Sequence, residues 1–294
     1  MTKRVLVLMA THNGIQWVEE QLKSIRAQEG MEVSILASDD ASTDGTFEYL
    51  NSTSYVMLLG SRGPYGAAGK NFFNLLLRAD FSGYEFVAFS DQDDIWHPWK
   101  LVRAINCLET HGCDGYSANV TAFWENGSEA LVDKAQAQRE WDFLFQSAGP
   151  GCTYVMSAFL AKEIQGVLRA NSRVPDEIYL HDWFVYAWTR ANGLSWFIDK
   201  ESVMRYRQHG ANEFGVNAGL KVAKNRIEIV KSGWYRSQVD AIARVCGVDS
   251  QKLVHKVLSK TWTGRISLAL HAGKFRRRYR DAFVLALVSM MGWF

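Results

Sequence analysis

The chain alternates short apolar runs with stretches whose apolar residues recur every three or four positions. Residues 4–9, RVLVLM, form a continuous run of the kind expected of a parallel strand buried on both faces, and it stops at Thr11-His12-Asn13-Gly14. Trp17, Val18, Leu22 and Ile25 then recur at helical spacing. A second run, Val33–Ala37, ends at Ser38-Asp39-Asp40, and a third, Tyr55–Leu59, ends at Gly60-Ser61-Arg62-Gly63. Phe72–Leu77 predicts a helix and Phe86–Phe89 a fourth strand. Each strand delivers polar or acidic residues at its C-terminal end, which is the βαβ pattern of an open parallel sheet that binds ligands beyond the carboxyl ends of its strands.

Pro98 suits the first turn of a helix whose inner side carries Leu101, Ile105 and Leu108. Beyond it, Tyr116–Trp124 and Thr153–Met156 are predicted strands, and Ala161–Arg169 and Trp183–Arg190 predicted helices. Trp196–Ile198 and Ser202–Arg207 read as a final strand pair. From about Gly219 onward the pattern is helical and basic. The expected fold class is therefore α/β, a mostly parallel sheet flanked by helices, with a helical, basic C-terminal extension over 216–294.

Composition limits the alternatives. A chain of 294 residues with 48% hydrophobic and 22% charged residues can bury a full core and is not a disordered one. The N-terminal apolar run is too short, and too soon followed by polar residues, for a signal peptide. Residues 282–294 hold thirteen positions, whereas a membrane span needs about 20. A cytoplasmic protein is expected, and the scattered Cys107, Cys113, Cys152 and Cys246 read as reduced thiols rather than a disulfide or zinc framework. The formal charge of +2 conceals an asymmetry: residues 216–294 carry 15 Lys+Arg against 4 Asp+Glu, a local +11, and the first 215 residues sum to −9. An acidic site in one part and an anionic partner at the other follow from that split.

The acids concentrate in FVAFSDQDDIWHP (86–98). Asp91, Asp93 and Asp94 repel one another by roughly 1 kcal/mol or more per close pair at intermediate dielectric. A divalent cation with hard oxygen ligands, Mg²⁺ or Mn²⁺, would offset that repulsion. A solvated loop capping the helix near Pro98 is the other reading. Asp39 and Asp40 end a second strand and face the same crevice, where they could bind a pyrimidine base or simply close an Asx-type turn.

MATHNG (9–14), ASDDASTDGT (37–46), SDQDDIWHPWKL (90–101), LHDWF (180–184) and YRQHGAN (206–212) together resemble an inverting family-two glycosyltransferase with the A-type nucleotide-sugar-binding fold. The likeness spans roughly residues 3–215 and is nearest to the rhamnosyltransferase-like branch that builds bacterial surface polysaccharides. It implies a catalytic domain over 1–215, with a nucleotide-sugar half to about 105 and an acceptor half over about 106–215. It further implies that Asp39, with Asp40 beside it, holds the base and that Thr11 to Asn13 line the nucleotide. Asp91 would contact ribose or metal, Asp93 would be the principal metal ligand, and Asp94 would stand behind them. Asp182 matches the family's general base. His209 would complete the metal shell or touch the diphosphate, with Arg205 or Arg207 adding positive charge.

Gly149-Pro150-Gly151-Cys152-Thr153 resembles the acceptor-side segment, and Gly63-Pro64-Tyr65-Gly66 with Lys70 and Asn71 the loop after the third strand. Among eleven tryptophans, Trp96 and Trp183 stand beside the acidic motifs and are expected to stack on sugar faces. The implied reaction is metal-dependent, inverting transfer of a sugar, L-rhamnose from dTDP-rhamnose or else a sugar from a UDP donor, to a glycan or lipid-linked glycan. A sugar nucleotidyltransferase would need a Gly-rich basic loop after its first strand, and a non-catalytic sugar-nucleotide-binding module would need no base. No G-x-G-x-x-G follows the first strand, which disfavours a dinucleotide-dependent dehydrogenase. Lys274-Phe275-Arg276-Arg277-Arg278-Tyr279-Arg280, next to an apolar stretch, is expected to meet an anionic membrane surface. No nucleic-acid module accompanies it.

Overall fold

A computed structural model of the chain describes residues 2–60, 63–209 and 228–294. Ser61 and Arg62 of the third strand's loop, Gly210–Asn212 of the last motif and the first part of the basic extension lie outside the described residues.

β1 (Lys3–Thr11) is buried from Val5 onward and lies between two parallel partners, β2 (Met31–Asp39) and β4 (Phe86–Ser90); β3 (Val56–Leu58) runs parallel to β2 on its outer side. Successive residues of β1 point to opposite faces. Leu6 and Leu8 enter one core with α3 (Ala68–Arg78), α5 (Ala158–Ala170) and α7 (His181–Ala191), whereas Val5, Val7 and Met9 enter another with α1 (Val18–Arg26) and α4 (Lys100–His111). The register pairs Thr11 with Asp39 and Met9 with Ser90, so three strands end along one rim of the sheet. Past β4 the sheet turns mixed. β8 (Val155–Ser157) is antiparallel to β4, followed by β6 (Gly115–Trp124), β9 (Trp196–Gln208) and the two-residue β5 (Ile95–Trp96), with β7 (Glu129–Val132) on β6.

Two expectations change here. The final strand pair is one strand, β9, parallel to β6 with register shifts between Ala118 and Thr121. The polar Asp199-Lys200-Glu201 reads as a turn, but Asp199 is buried against Arg103 Nε (2.6 Å) and the Tyr116 hydroxyl (2.8 Å), which hold it inside the strand. In the second case, α4 begins at Lys100, two residues after Pro98, and Trp99 precedes it without a side-chain cap. β5 separates the acids from α4, so the capping reading of Asp91–Asp94 fails.

The C-terminal helices α8 (Trp234–Val245), α9 (Lys252–Leu258), α10 (Trp262–Phe275) and α11 (Tyr279–Met290) share a core with the sheet's α3/α5/α7 side through Val239, Ile242, Val254, Leu268 and Phe275. Three arginines between α10 and α11 turn toward the domain. Arg277 is buried on Asp142 (3.0 Å), which also meets Arg190 (3.3 Å) and the Tyr186 hydroxyl (3.0 Å). Arg276 donates to Phe145 O (2.5 Å), Arg278 pairs with Asp133 (3.4 Å) and Lys274 with Glu140 (2.8 Å). The cationic run expected to face a membrane therefore ties the extension to the 133–145 segment. Among the described residues, no helix is long and apolar enough to cross a membrane.

Candidate active site

The rim formed by β1 and β2 is closed by side chains of the first two motifs. Asp39 is fully buried, accepting from Ser42 N (2.9 Å), Ser42 Oγ (2.5 Å) and Thr11 Oγ1 (3.2 Å). It thus makes the Asx-type turn. Asp40 organises the third strand's loop instead: it accepts from Tyr65 N and from Gly66 N (2.9 Å). A Cβ on Gly63 would lie 2.2 Å from Asp40 Oδ1, so glycine is required there. Asn13 adopts φ 47° and its Oδ1 accepts from Thr43 N (2.8 Å), joining the first motif to the second. Asn71 of α3 donates to Ser38 O (2.9 Å), and Lys70 pairs with Asp176 at the surface (3.0 Å).

β4 delivers the acids beside this rim. Gln92 accepts from His12 N and donates to His12 O, both at 2.8 Å, which locks the acidic loop to the first motif. Asp93 Oδ2 lies 2.7 Å from His209 Nε2, and the His209 ring stacks on Trp17 with centroids 4.0 Å apart. Arg207, at the end of β9, donates from Nε to Asp93 O (2.8 Å) and meets Glu20 (2.5 Å). Asp94 turns inward, accepting from Arg207 N (3.1 Å); ligand atoms of Asp91, Asp94 and Cys152 lie within 4.8 Å of one another. Burial, then the charges of Asp93 and Asp91, hold the Asp94 carboxyl well above the usual carboxylate range. Burial, then the charges of Asp94 and Asp91, likewise raise the Cys152 thiol well above its ordinary value. Asp93 and His209 thus meet as an oxygen and nitrogen donor pair, and the Asp91 carboxylate lies with Asp94 and Cys152; carboxylate and imidazole donors of this kind suit Mg²⁺ or Mn²⁺.

The acceptor-side segment links this cluster to the third group. Gly151–Thr153 forms a short 3-10 turn ahead of β8, and Tyr154 O receives the Phe89 N–H of β4 (3.1 Å). Cys152 abuts Asp91 and Asp94, whereas the preceding Gly151 faces α7, where a Cβ would approach Asp182 Cβ at 3.0 Å. One turn therefore has the acidic cluster on one side and Asp182 on the other. Asp182 Oδ1 accepts from Trp183 N (2.7 Å) in the first turn of α7.

The neighbouring His181 is buried, stacked on Phe72 at 4.0 Å, and neither ring nitrogen has a hydrogen-bond partner among the described residues. Burial pushes its pKa down to about 3. An unfolded histidine protonates near 6.5, so its neutral burial stabilises the fold above that pH. The contribution is lost at up to ~1.4 kcal/mol per unit as pH falls toward the folded value. In denaturant titrations, His181→Phe should flatten the difference in stability between pH 6 and pH 4 by roughly 1 kcal/mol or more. Parallel curves for variant and wild type would contradict this.

Trp96 and Trp183 are not open sugar platforms. Both are almost fully buried; Lys100 Nζ lies 3.1 Å from the Trp96 ring centroid, and Trp183 Nε1 donates to Phe143 O (2.8 Å). Lys100, Gln92, Glu20 and Trp17 were not expected at the site. Lys100 is fully buried, donates to Cys152 O (2.8 Å), and is pushed down to about 7 by burial. Its signal was available, since a lysine one residue before Leu101 occupies the apolar stripe of α4.

Comparison with known proteins accords with this geometry. The family described as Glycosyl transferase family 2 matches residues 6–150. The chain is 40% identical over 291 residues to the dTDP-rhamnosyl transferase RfbG of Shigella flexneri, covering 97% of this chain and 100% of that one. It is 28% identical over 156 residues, 52% of this chain and 59% of the other, to the Escherichia coli UDP-Glc:alpha-D-GlcNAc-diphosphoundecaprenol beta-1,3-glucosyltransferase WfgD. Among solved structures, S. aureus TarS in complex with UDP-GlcNAc shares the fold, with a TM-score of 0.54 at 14% identity over 99% of this chain and 91% of that one. An acidic crevice built at the carboxyl rim of a family-like sheet and a full-length relative lead to one conclusion: the chain belongs to glycosyl transferase family 2.

Proposed function

We propose that the chain transfers L-rhamnose from dTDP-rhamnose, with inversion, to a glycan or lipid-diphosphate-linked glycan on the cytoplasmic side of the membrane. The donor reading is carried by the 40% identity to a dTDP-rhamnosyl transferase along that protein's whole length. The chemical reading is carried by the Gly151-Cys152 turn, with Asp91 and Asp94 against Cys152 and Asp182 against Gly151. An inverting displacement needs a base on the face of the sugar opposite the leaving diphosphate.

Asp39 accepts the pyrimidine N3–H, with Thr11 and Asn13 beside it, and Asp40 holds Gly66 and its loop against the nucleotide. Asp91, Asp93 and His209 would hold a divalent cation, which when bound supplies positive charge to the departing diphosphate. Arg207 positions the Asp93 backbone from behind, and Lys70 is a further cation for the phosphates. Asp182 takes the proton of the attacking acceptor hydroxyl, and Gly151 leaves that hydroxyl room to approach. Nucleic acid has no part in the reading.

A UDP-sugar donor is the second reading, favoured by the likeness to the UDP-glucose-dependent WfgD over about half of the chain. Incubating the purified protein with dTDP-rhamnose, UDP-glucose or UDP-GlcNAc, each with Mn²⁺, separates the two by the nucleotide released. Release of dTDP well above that of UDP is expected. A preference for either UDP-sugar would overturn the rhamnose assignment and leave the family assignment standing.

A further inference from the structure

α10 and α11 form a helical hairpin whose open end is fastened by Ser289 Oγ donating to Arg265 O (3.0 Å). Its inner side is conventional, with Leu268, Ala272, Phe275 and Leu285 buried. Its outer side is not. Trp262 (64% exposed), Ile266 (45%) and Leu270 (77%) recur every four residues on α10, and Tyr279 (83%), Phe283 (65%) and Leu287 (46%) do so on α11. Two neighbouring helices therefore each show an apolar stripe to water, and exposed apolar surface of that kind marks an interaction surface.

We propose that this face docks on an anionic lipid bilayer, with the hairpin lying in the plane of the interface. Length excludes crossing, because the twelve residues of α11 span roughly 18 Å, against about 30 Å of hydrocarbon. Composition suits an interfacial position, since Trp262, Tyr279 and Phe283 are residues that settle at headgroup depth. Charge selects the partner. With Lys274 and Arg276–Arg278 taken up by the domain, Arg265 and Arg280 remain on the hairpin, and Lys252, Lys256 and Lys260 stand exposed just before it. A second copy would bring like charge against like charge, whereas anionic lipid complements the cations. The arginines of 276–278 are not the contact, because they are engaged by Phe145, Asp142 and Asp133. The apolar face does the docking, and the surrounding lysines supply attraction. This inference stands apart from the identity of the donor and can fail without it.

Flotation of the full chain with phosphatidylcholine vesicles, with and without phosphatidylglycerol, tests it. The protein should float with the anionic vesicles only. The double variant Leu270→Glu/Phe283→Glu alters exposed positions, so it should keep the wild-type circular dichroism spectrum and nucleotide release while losing vesicle binding by roughly tenfold or more. Unchanged flotation of the variant would overturn the proposal. So would a wild-type chain that ignores anionic vesicles, or one that elutes as a dimer which the variant converts to monomer.

Discussion

Asp93→Asn should lower sugar transfer by roughly 10²–10³-fold or more and weaken metal-dependent nucleotide binding at the same time. Asp93 is the acid whose carboxylate faces His209 at 2.7 Å, and it is fixed from behind by Arg207 on its own backbone oxygen. Asp94 is turned away from His209, buried and accepting from Arg207 N (3.1 Å), and burial with its two acidic neighbours raises its carboxyl well above the usual carboxylate range. Asp94→Asn, whose amide oxygen can still accept from Arg207 N, should accordingly have a much smaller effect. Nucleotide affinity measured by calorimetry with Mn²⁺ and with chelator, alongside turnover, separates these variants. An Asp93→Asn protein that keeps metal-stimulated binding, or an Asp94→Asn protein that is the more damaged of the two, would transfer the metal role to the other acid.

Asp182→Asn should cost turnover roughly 10²–10⁴-fold while leaving nucleotide affinity intact. The asparagine oxygen can still accept the Trp183 N–H that Asp182 Oδ1 accepts at 2.7 Å, so the start of α7 is preserved and only the proton acceptor is lost. Equal losses of transfer and thermal stability would instead assign Asp182 a purely structural role. Wild-type turnover at unchanged stability would place the base elsewhere.

The parallel half of the sheet was legible because a strand buried on both faces is a continuous apolar run, as in β1 and β4 and in the Ile35–Ala37 half of β2. Elements fixed by distant partners were not. β5 has two residues and exists only through its pairing with Arg205 and Met204. β9 stays one strand because Arg103 and Tyr116, far away in sequence, bond Asp199. The positions of the acids were likewise readable, since each follows a strand, but their orientations were not: Asp93 turns to His209 and Asp94 inward to Arg207 N, which residue type does not reveal. Tryptophan beside an acidic motif suggested a sugar platform, yet Trp96 and Trp183 are packed inside. The basic run at 274–280 announced an anionic surface, but Arg276, Arg277 and Arg278 meet protein carbonyls and carboxylates. Helical spacing does not say which face meets the domain.

Metal-dependent, acceptor-driven rhamnosyl transfer is tested most directly by following dTDP release from dTDP-rhamnose by the purified chain. The reaction is run with and without a lipid-diphosphate-linked glycan acceptor, in Mn²⁺ or Mg²⁺ and in chelator. Release should be slow with donor alone, rise when acceptor is added, and fall to background when the metal is chelated. Release that ignores both acceptor and chelator would contradict the assignment of Asp91, Asp93, His209 and Asp182 to a single transfer site.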